Sequence, residues 1–178
     1  MTLPERIQEL LSELAARIER PTPESVLMPV AREMEPYVGC ARYSAERYMR
    51  HPVFMGPDWE VMLIAWETGQ KTPIHDHRGV MGSMLVFSGS LVEETFDTPE
   101  DKPALLDRSD RGAGDACLTS PTLLHRLFPR KGRSLSLHIY RPPLREMGIW
   151  EPQGMTEIRA SGYDVPVETL SARTAKLA

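Results

Sequence analysis

The chain carries two histidines one residue apart, His75-Asp76-His77, and a third at His125. Neutral imidazole is the commonest side-chain ligand for divalent transition metals. Alternate residues of a strand point to the same face, so His75 and His77 can reach one ion while Asp76 turns away from it. His125 must then arrive from another strand. A second set, Ser136, His138 and Tyr140, alternates with Leu135, Leu137 and Ile139. A strand here has one hydrogen-bonding face and one aliphatic face. Two orientations are open. In one, the aliphatic residues face a core and the polar ones face water. In the other, the polar residues face inward, where a Ser–His–Tyr chain sets the histidine tautomer and presents the phenol toward a metal-bound ligand.

These residues need a scaffold. Leu3, Ile7, Leu10, Leu11, Leu14, Ala15 and Ile18 repeat near 3.6 residues and predict an amphipathic helix from Leu3 to Arg20, ended by Pro21 and Pro23. A second helix follows Pro23-Glu24-Ser25, with Val26, Val30, Met34 and Val38 on one stripe, and a third short one is expected over Cys40 to Met49. The period then changes. Trp59 to Trp66, Met84 to Phe87, Leu91 to Phe96, Ala116 to Thr119 and Leu135 to Tyr140 read as short strands bounded by turn residues, and Thr156 to Tyr163 as one more. The final dozen residues lack a core pattern and are expected to be mobile. Helices followed by a run of strands make the chain mainly β, of the α+β class, with a sandwich or barrel behind an N-terminal helical layer. We expect a single domain over 1–178: helices in 1–49, a barrel core in 50–145 and a C-terminal strand and tail in 146–178.

At 178 residues, 41% hydrophobic and 26% charged, the chain suits one globular domain with a sizeable core. The formal charge of −4 and the lack of a basic stripe argue against nucleic acid as partner. Apolar runs such as Val61 to Trp66 are too short to span a bilayer, and the first twenty residues carry acids instead of a basic segment and an apolar core, so a cytoplasmic protein with no membrane partner is expected. Cys40 and Cys117 are expected to be free thiols. Trp59, Trp66 and Trp150 read as packing residues and His51 as a surface or turn histidine. The ten methionines read as gap fillers, with Met62 and Met84 candidates for a pocket wall. Cys117 reads as a buried hydrophobe, and Glu93-Glu94 has no facing acid that would form a catalytic carboxylate pair.

The histidine pair and its glycines resemble the first motif of the cupin superfamily, G-x5-H-x-H-x4-E-x6-G, through Gly69, His75, His77 and Gly89. Gly82 stands where most cupins have an acidic ligand. The second motif is looser: Gly114 and His125 fit, while Pro121 is one place off and Pro129 replaces the usual asparagine. This resemblance implies a double-stranded β-helix barrel holding a metal between strands on opposite walls.

Within that superfamily, Pro73-Ile74-His75-Asp76-His77 and the segment from Ser134 to Leu144 resemble the cysteine dioxygenase family, over a stretch from about Tyr48 to Leu144. The resemblance implies Fe(II) held by His75, His77 and His125, with both atoms of O₂ added to the sulfur of L-cysteine to give the sulfinate. It implies further that Tyr140, oriented through His138 and Ser136, bonds the substrate carboxylate or the bound oxygen, and that Arg50, beside Tyr48, holds the carboxylate. Arg47 is the rival for that last role if the register slips. Related bacterial 3-mercaptopropionate dioxygenases carry glutamine at this position, so an arginine favours cysteine. Chemically, most non-haem iron oxygenases use two histidines and a carboxylate. With three neutral ligands, a substrate thiolate can supply the missing negative charge.

Two departures stand out. Mammalian members form a thioether between the active-site tyrosine and a cysteine; Gly82 occupies that cysteine's place, as in bacterial members, so no cross-link is expected. Arg141 follows Tyr140 where mammalian members have serine, an extra cation beside the site. Three alternatives stay open: the same chemistry on 3-mercaptopropionate, a non-catalytic metal-binding cupin sensor, and a cupin isomerase or lyase using the metal as a Lewis acid. The isomer of the Arg141–Pro142 bond, the oligomeric state and the pathway are not legible.

Overall fold

The computed structural model describes residues 2–97, 103–151 and 154–159. Helix α1, Leu3–Arg17, starts where the Glu5 carboxylate accepts the Thr2 N–H at 2.7 Å. Helix α2, Pro23–Met34, is capped reciprocally: Ser25 N–H donates to Thr22 Oγ1 at 3.3 Å and Thr22 N–H to Ser25 Oγ at 2.9 Å. These bonds satisfy amides that the first helical turn leaves unpaired, and Pro23 at the first position has none to satisfy.

The expected third helix is absent. The chain tightens into a 3-10 turn, Glu35–Cys40, and 41–48 is irregular. Pro36 and Gly39 stop the second helix at Met34, short of Val38, and over 41–48 the backbone bonds to distant side chains instead, Arg42 to His51 and the Ser44 carbonyl to Gln70 Nε2 at 2.7 Å. His51 anchors this segment, with its Nε2 3.3 Å from the N–H and 3.0 Å from the carbonyl of Arg42. It is fully buried, which corrects the expectation of a surface histidine.

The strands are β1 Met49–Met55, β2 Glu60–Trp66, β3 His75–Asp76, β4 Met81–Ser88, β5 Ser90–Phe96, β6 Leu105–Gly112, β7 Ala116–Thr119, β8 Leu124–Pro129, β9 Ser134–Arg141, β10 Glu146–Glu151 and β11 Gly154–Arg159. The five strands expected before residue 141 are all present, most a residue or more longer than their patterns. The strand expected over Thr156 to Tyr163 is β11, shifted toward the N-terminus; residues 160–163 and the final dozen lie outside the described residues. β3 and β8 are the two strands that the histidines required, whereas β1, β6 and β10 were not anticipated. The Arg141–Pro142 peptide is cis.

All pairings are antiparallel, in a five-stranded sheet ordered β1-β2-β9-β4-β7 and a six-stranded sheet ordered β11-β10-β3-β8-β5-β6. At the β4–β5 turn Gly89 has φ +74°, and a Cβ there would collide with the Arg133 carbonyl oxygen.

Two apolar clusters follow from strand alternation. Leu63, Ala65, Leu135, Leu137 and Ile139 face outward and pack under the helices against Ile7, Val26, Val30 and Met34. Met62, Ile64, Trp66, Met84 and Val86 face the barrel interior with Leu91 and Leu127 of the other sheet. Burying a side chain the size of Ile7 or Leu137 stabilises by about 1.5–3 kcal/mol. Because the helices cover the aliphatic face of β9, both faces of that strand are buried, and Ser136, His138 and Tyr140 turn inward.

Candidate active site

His75 lies on β3 directly opposite His125 on β8. His77 follows just past the end of β3, where Arg78 (φ 48°) and Gly79 (φ 86°) turn the chain in the left-handed region. Asp76 points away from the histidines, and its Oδ1 accepts the N–H of Arg78 at 3.1 Å and of Gly148 at 3.0 Å, tying the turn to β10. The three imidazoles are buried, and each offers a ring nitrogen within 4.8 Å of the others'. All three come from the six-stranded sheet or its adjoining turn, so the opposite-wall arrangement implied by the cupin resemblance is corrected here. The facing wall supplies other groups.

Hydrogen bonds set the ring orientations. His75 Nδ1 lies 3.1 Å from the Pro73 carbonyl, which can only accept, so Nδ1 carries the proton and Nε2 the lone pair. His125 Nδ1 lies 3.1 Å from Glu93 Oε1, a carboxylate, with the same result. His125 Nε2 and His77 Nε2 face one another at 3.4 Å, and His77 Nδ1 is buried without a partner among the described residues. Burial, then the neighbouring His125, pulls His75 down to about 3, and burial with His125 and His75 holds His77 well below the usual histidine range. Unprotonated nitrogens turned toward a common point in a dry site fit a divalent metal.

On the opposite wall, Ser136 Oγ is 2.8 Å from His138 Nε2, and His138 Nδ1 is 3.4 Å from the Tyr140 hydroxyl. The Tyr140 ring meets the His77 ring edge-on, centroids 5.2 Å apart, which joins the polar strand to the histidine cluster. Burial, followed by His125 and Arg50, pulls His138 down to about 3, so it is neutral at physiological pH. Trp66, expected only to pack, donates its indole N–H to Ser136 Oγ at 3.0 Å and packs against the Tyr48 ring, centroids 4.8 Å apart and planes tilted by 31°. Indole can only donate. The Ser136 hydroxyl therefore accepts from Trp66 and directs its own proton at His138 Nε2. His138 then carries its proton on Nδ1, toward Tyr140.

Arg50 on β1 is buried and lines the same cavity, its Nε 3.4 Å from Met62 Sδ. Tyr48 lines it as well, its phenol pushed above the usual range by burial against the lowering effect of Arg50 and Arg47. Arg47 is exposed and is not among the lining residues. Of the two candidate methionines Met84 lines the cavity, while Met62 sits beneath Arg50.

Arg141 is not beside the site. Strand alternation turns it outward, its guanidinium 4.9 Å from the Trp59 ring centre and bonded to the Pro21 carbonyl. Cys40 and Cys117 are free thiols, and burial, followed by Glu93, pushes Cys117 up to about 12, which makes it a poor nucleophile. Gly82 pairs with Tyr140 across β4 and β9. Glu93, passed over in the sequence because no second acid faced it, touches His125.

A model of the family described as cysteine dioxygenase type I matches residues 5–152. Curated relatives include cysteine dioxygenase type 1 of Rattus norvegicus, 29% identical over 110 residues, and of Homo sapiens, 28% identical over 110 residues; each alignment covers 58% of this chain and 55% of the relative. The chain thus spans about half the length of these relatives. Among solved structures, a Klebsiella pneumoniae protein with a double-stranded β-helix domain superposes with a TM-score of 0.54 at 17% identity, covering 64% of this chain and 87% of that one. A Bacillus halodurans protein superposes at 0.50 and 14% identity, covering 71% and 84%. The fold is a cupin double-stranded β-helix with two N-terminal helices.

Proposed function

The chain belongs to the cysteine dioxygenase type I family, and from that membership we propose that it is an iron(II)-dependent thiol dioxygenase converting L-cysteine to cysteine sulfinate. The observation that carries this reading is one buried cavity in which three imidazole nitrogens converge beside the Ser136–His138–Tyr140 chain and the Arg50 guanidinium. His75, His77 and His125 would hold the metal. Iron(II) in that position supplies adjacent binding of a thiolate and dioxygen and the electron transfer that lets them react. The reaction balances without another reductant: sulfur gives up four electrons, dioxygen takes four, and both oxygens end on sulfur.

The remaining work belongs to the protein. Arg50 pairs with the substrate carboxylate, through two parallel bonds where its planar fork allows. The Tyr140 oxygen accepts a hydrogen bond from His138 Nδ1–H, and its own O–H donates in the cavity, toward substrate. Trp66 and Ser136 keep that chain polarised in one direction. Tyr48, protonated at neutral pH, narrows the wall beside Arg50. The apolar neighbours Met84, Leu127 and Leu144 keep the site dry, which strengthens each polar contact.

A second reading, 3-mercaptopropionate as substrate, is favoured by one observation. The single carboxylate among the described lining residues is Glu93, and it is already engaged, so no acid is left to pair with an amino group. The test is oxygen uptake by iron-loaded protein with both thiols, with product identified by mass. We expect a higher kcat/KM for L-cysteine. A large preference for 3-mercaptopropionate reverses the substrate order, and no uptake with any thiol at full iron occupancy overturns the enzyme reading in favour of a metal-binding sensor. His75→Ala, His77→Ala and His125→Ala should each lose iron and activity together.

A further inference from the structure

The three histidines are anchored unequally. His77 Nδ1 has no partner among the described residues, and His75 Nδ1 donates to a neutral carbonyl. His125 Nδ1 instead donates to Glu93, whose other oxygen accepts from Arg111 Nη2 at 3.1 Å. Register explains how these groups meet. Glu93 lies opposite Leu127 across β5 and β8, so His125, two residues away on the same face, is its diagonal neighbour. Arg111 on β6 pairs with Leu91 and is therefore Glu93's diagonal neighbour on the same face, from the edge strand. The Glu93 side chain is 5% exposed, and that of Arg111 is 30% exposed. Glu94, next in the chain, points the other way and is engaged by Arg126 and Arg108 on the outer face.

A carboxylate that accepts the outer proton of a ligating imidazole fixes its tautomer and ring rotation and makes it a stronger donor. We propose that Glu93, held by Arg111, is a positioning residue that makes His125 the dominant metal anchor, restoring from one bond further out the negative charge that Gly82 fails to supply directly. The inference rests on the reading of the three imidazoles as a metal site. Arg111 occupies the second carboxylate oxygen and so hinders its rotation off His125. The site is thus not electrically equivalent to three neutral imidazoles: one limb is carboxylate-backed, one carbonyl-backed and one unbacked.

The experiment titrates metal-free protein with Co(II), reading the visible absorption band and competition with a fluorescent chelator. The proteins compared are wild type, Glu93→Gln and, as a control of equal chemistry outside the cavity, Glu94→Gln. We expect Glu93→Gln to weaken Co(II) binding by about 10- to 100-fold and to shift the absorption band, and Glu94→Gln to bind as wild type does. Wild type that fails to bind Co(II) refutes the metal-site reading itself. Wild type that binds, with Glu93→Gln within twofold of it and the band unmoved, overturns only the role given to Glu93. If Glu93→Gln does not fold, imidazole ¹H–¹⁵N spectra of zinc-loaded wild type decide instead. The His125 Nδ1 proton should lie further downfield than that of His75, and a proton no further downfield overturns the proposal.

Discussion

Gly82→Ala is the smallest change that reaches the candidate site from outside its polar residues. A Cβ at position 82 would lie 3.0 Å from both Cδ1 and Cε1 of Tyr140 and 3.6 Å from Thr119 Cβ. Carbon atoms prefer about 3.5–4.0 Å, so the phenol ring must retreat by roughly half an ångström. The ring is flanked by His77, met edge-on at 5.2 Å, which limits how far it can go. The Tyr140–His138 contact is already 3.4 Å, and a further shift takes it beyond hydrogen-bond range. Overpacking of this kind costs about 1–3 kcal/mol, and each kcal/mol lowers Tm by roughly 2–4 °C in a domain of this size. A displaced catalytic group loses rate steeply, about a hundredfold for 1 Å, so we expect kcat to fall on the order of tenfold while Co(II) or iron binding is kept. Calorimetry gives Tm, chelator competition gives metal affinity, and an oxygen electrode gives kcat. In a Tyr140→Phe background the alanine should cost no further rate, since the group it displaces is gone. Wild-type kcat in Gly82→Ala, or an undiminished loss in the Tyr140→Phe background, would show that the position of Tyr140 does not limit turnover.

Three further outcomes are expected. Trp66→Phe keeps the packing on Tyr48 but removes the indole donor, and loss of one hydrogen bond worth about 0.5–1.5 kcal/mol should lower kcat roughly 2- to 10-fold at unchanged metal content; an unchanged kcat refutes the polarised relay. Metal-free protein should weaken as pH falls from 6.5 toward 3, because His75 and His138 sit near 3 when folded while the unfolded chain takes up their protons near 6.5. Each contributes about 1.4 kcal/mol per pH unit across that window, so a urea midpoint that stays flat between pH 6 and 4 contradicts it. Peptide mapping after repeated turnover should find Tyr140 unmodified, since Gly82 offers no thiol; a peptide joining Tyr140 to Cys40 or Cys117 would sink this expectation.

What the sequence discloses is what is local along it. His75-Asp76-His77 and Ser136-x-His138-x-Tyr140 are readable because strand alternation maps spacing onto one face, and the structure places His75, His77, His138 and Tyr140 in one cavity with Ser136 bonded to His138. Glu93 and Trp66 were missed because their partners are distant in sequence: His125 meets Glu93 only through the β5–β8 register, and Ser136 meets Trp66 only through β2–β9. A glutamate two residues from Leu91, on the same face of one strand, is a usable signal for an inward acid. β6 was missed for a different reason. It is a polar edge strand, and an exposed edge needs no apolar alternation. The third helix failed because a hydrophobic pattern does not register that His51 and Gln70, which lie outside the segment, bond the backbone of Arg42 and Ser44.

The two walls of the cavity are built to different standards of rigidity, and this bears on how a metal would act. β9 is the middle strand of its sheet, paired along its length with β2 and β4, and its relay is fixed by Trp66 on one side and by the close approach of Gly82 on the other. The wall bearing the histidines is sparser. β3 is two residues long, and its turn is held by the two bonds to Asp76 and by backbone bonds from Val80 to His77 and from Gly79 to Pro121. The relay is therefore organised before any metal arrives, whereas the His75–His77 turn gains most from it, because a shared ion would join the end of β3 to β8 through side chains where few backbone bonds do so. Asp76, which cannot reach the metal, thus acts with the backbone bonds from Val80 to His77 and from Gly79 to Pro121 to keep the turn that carries His77 against His125.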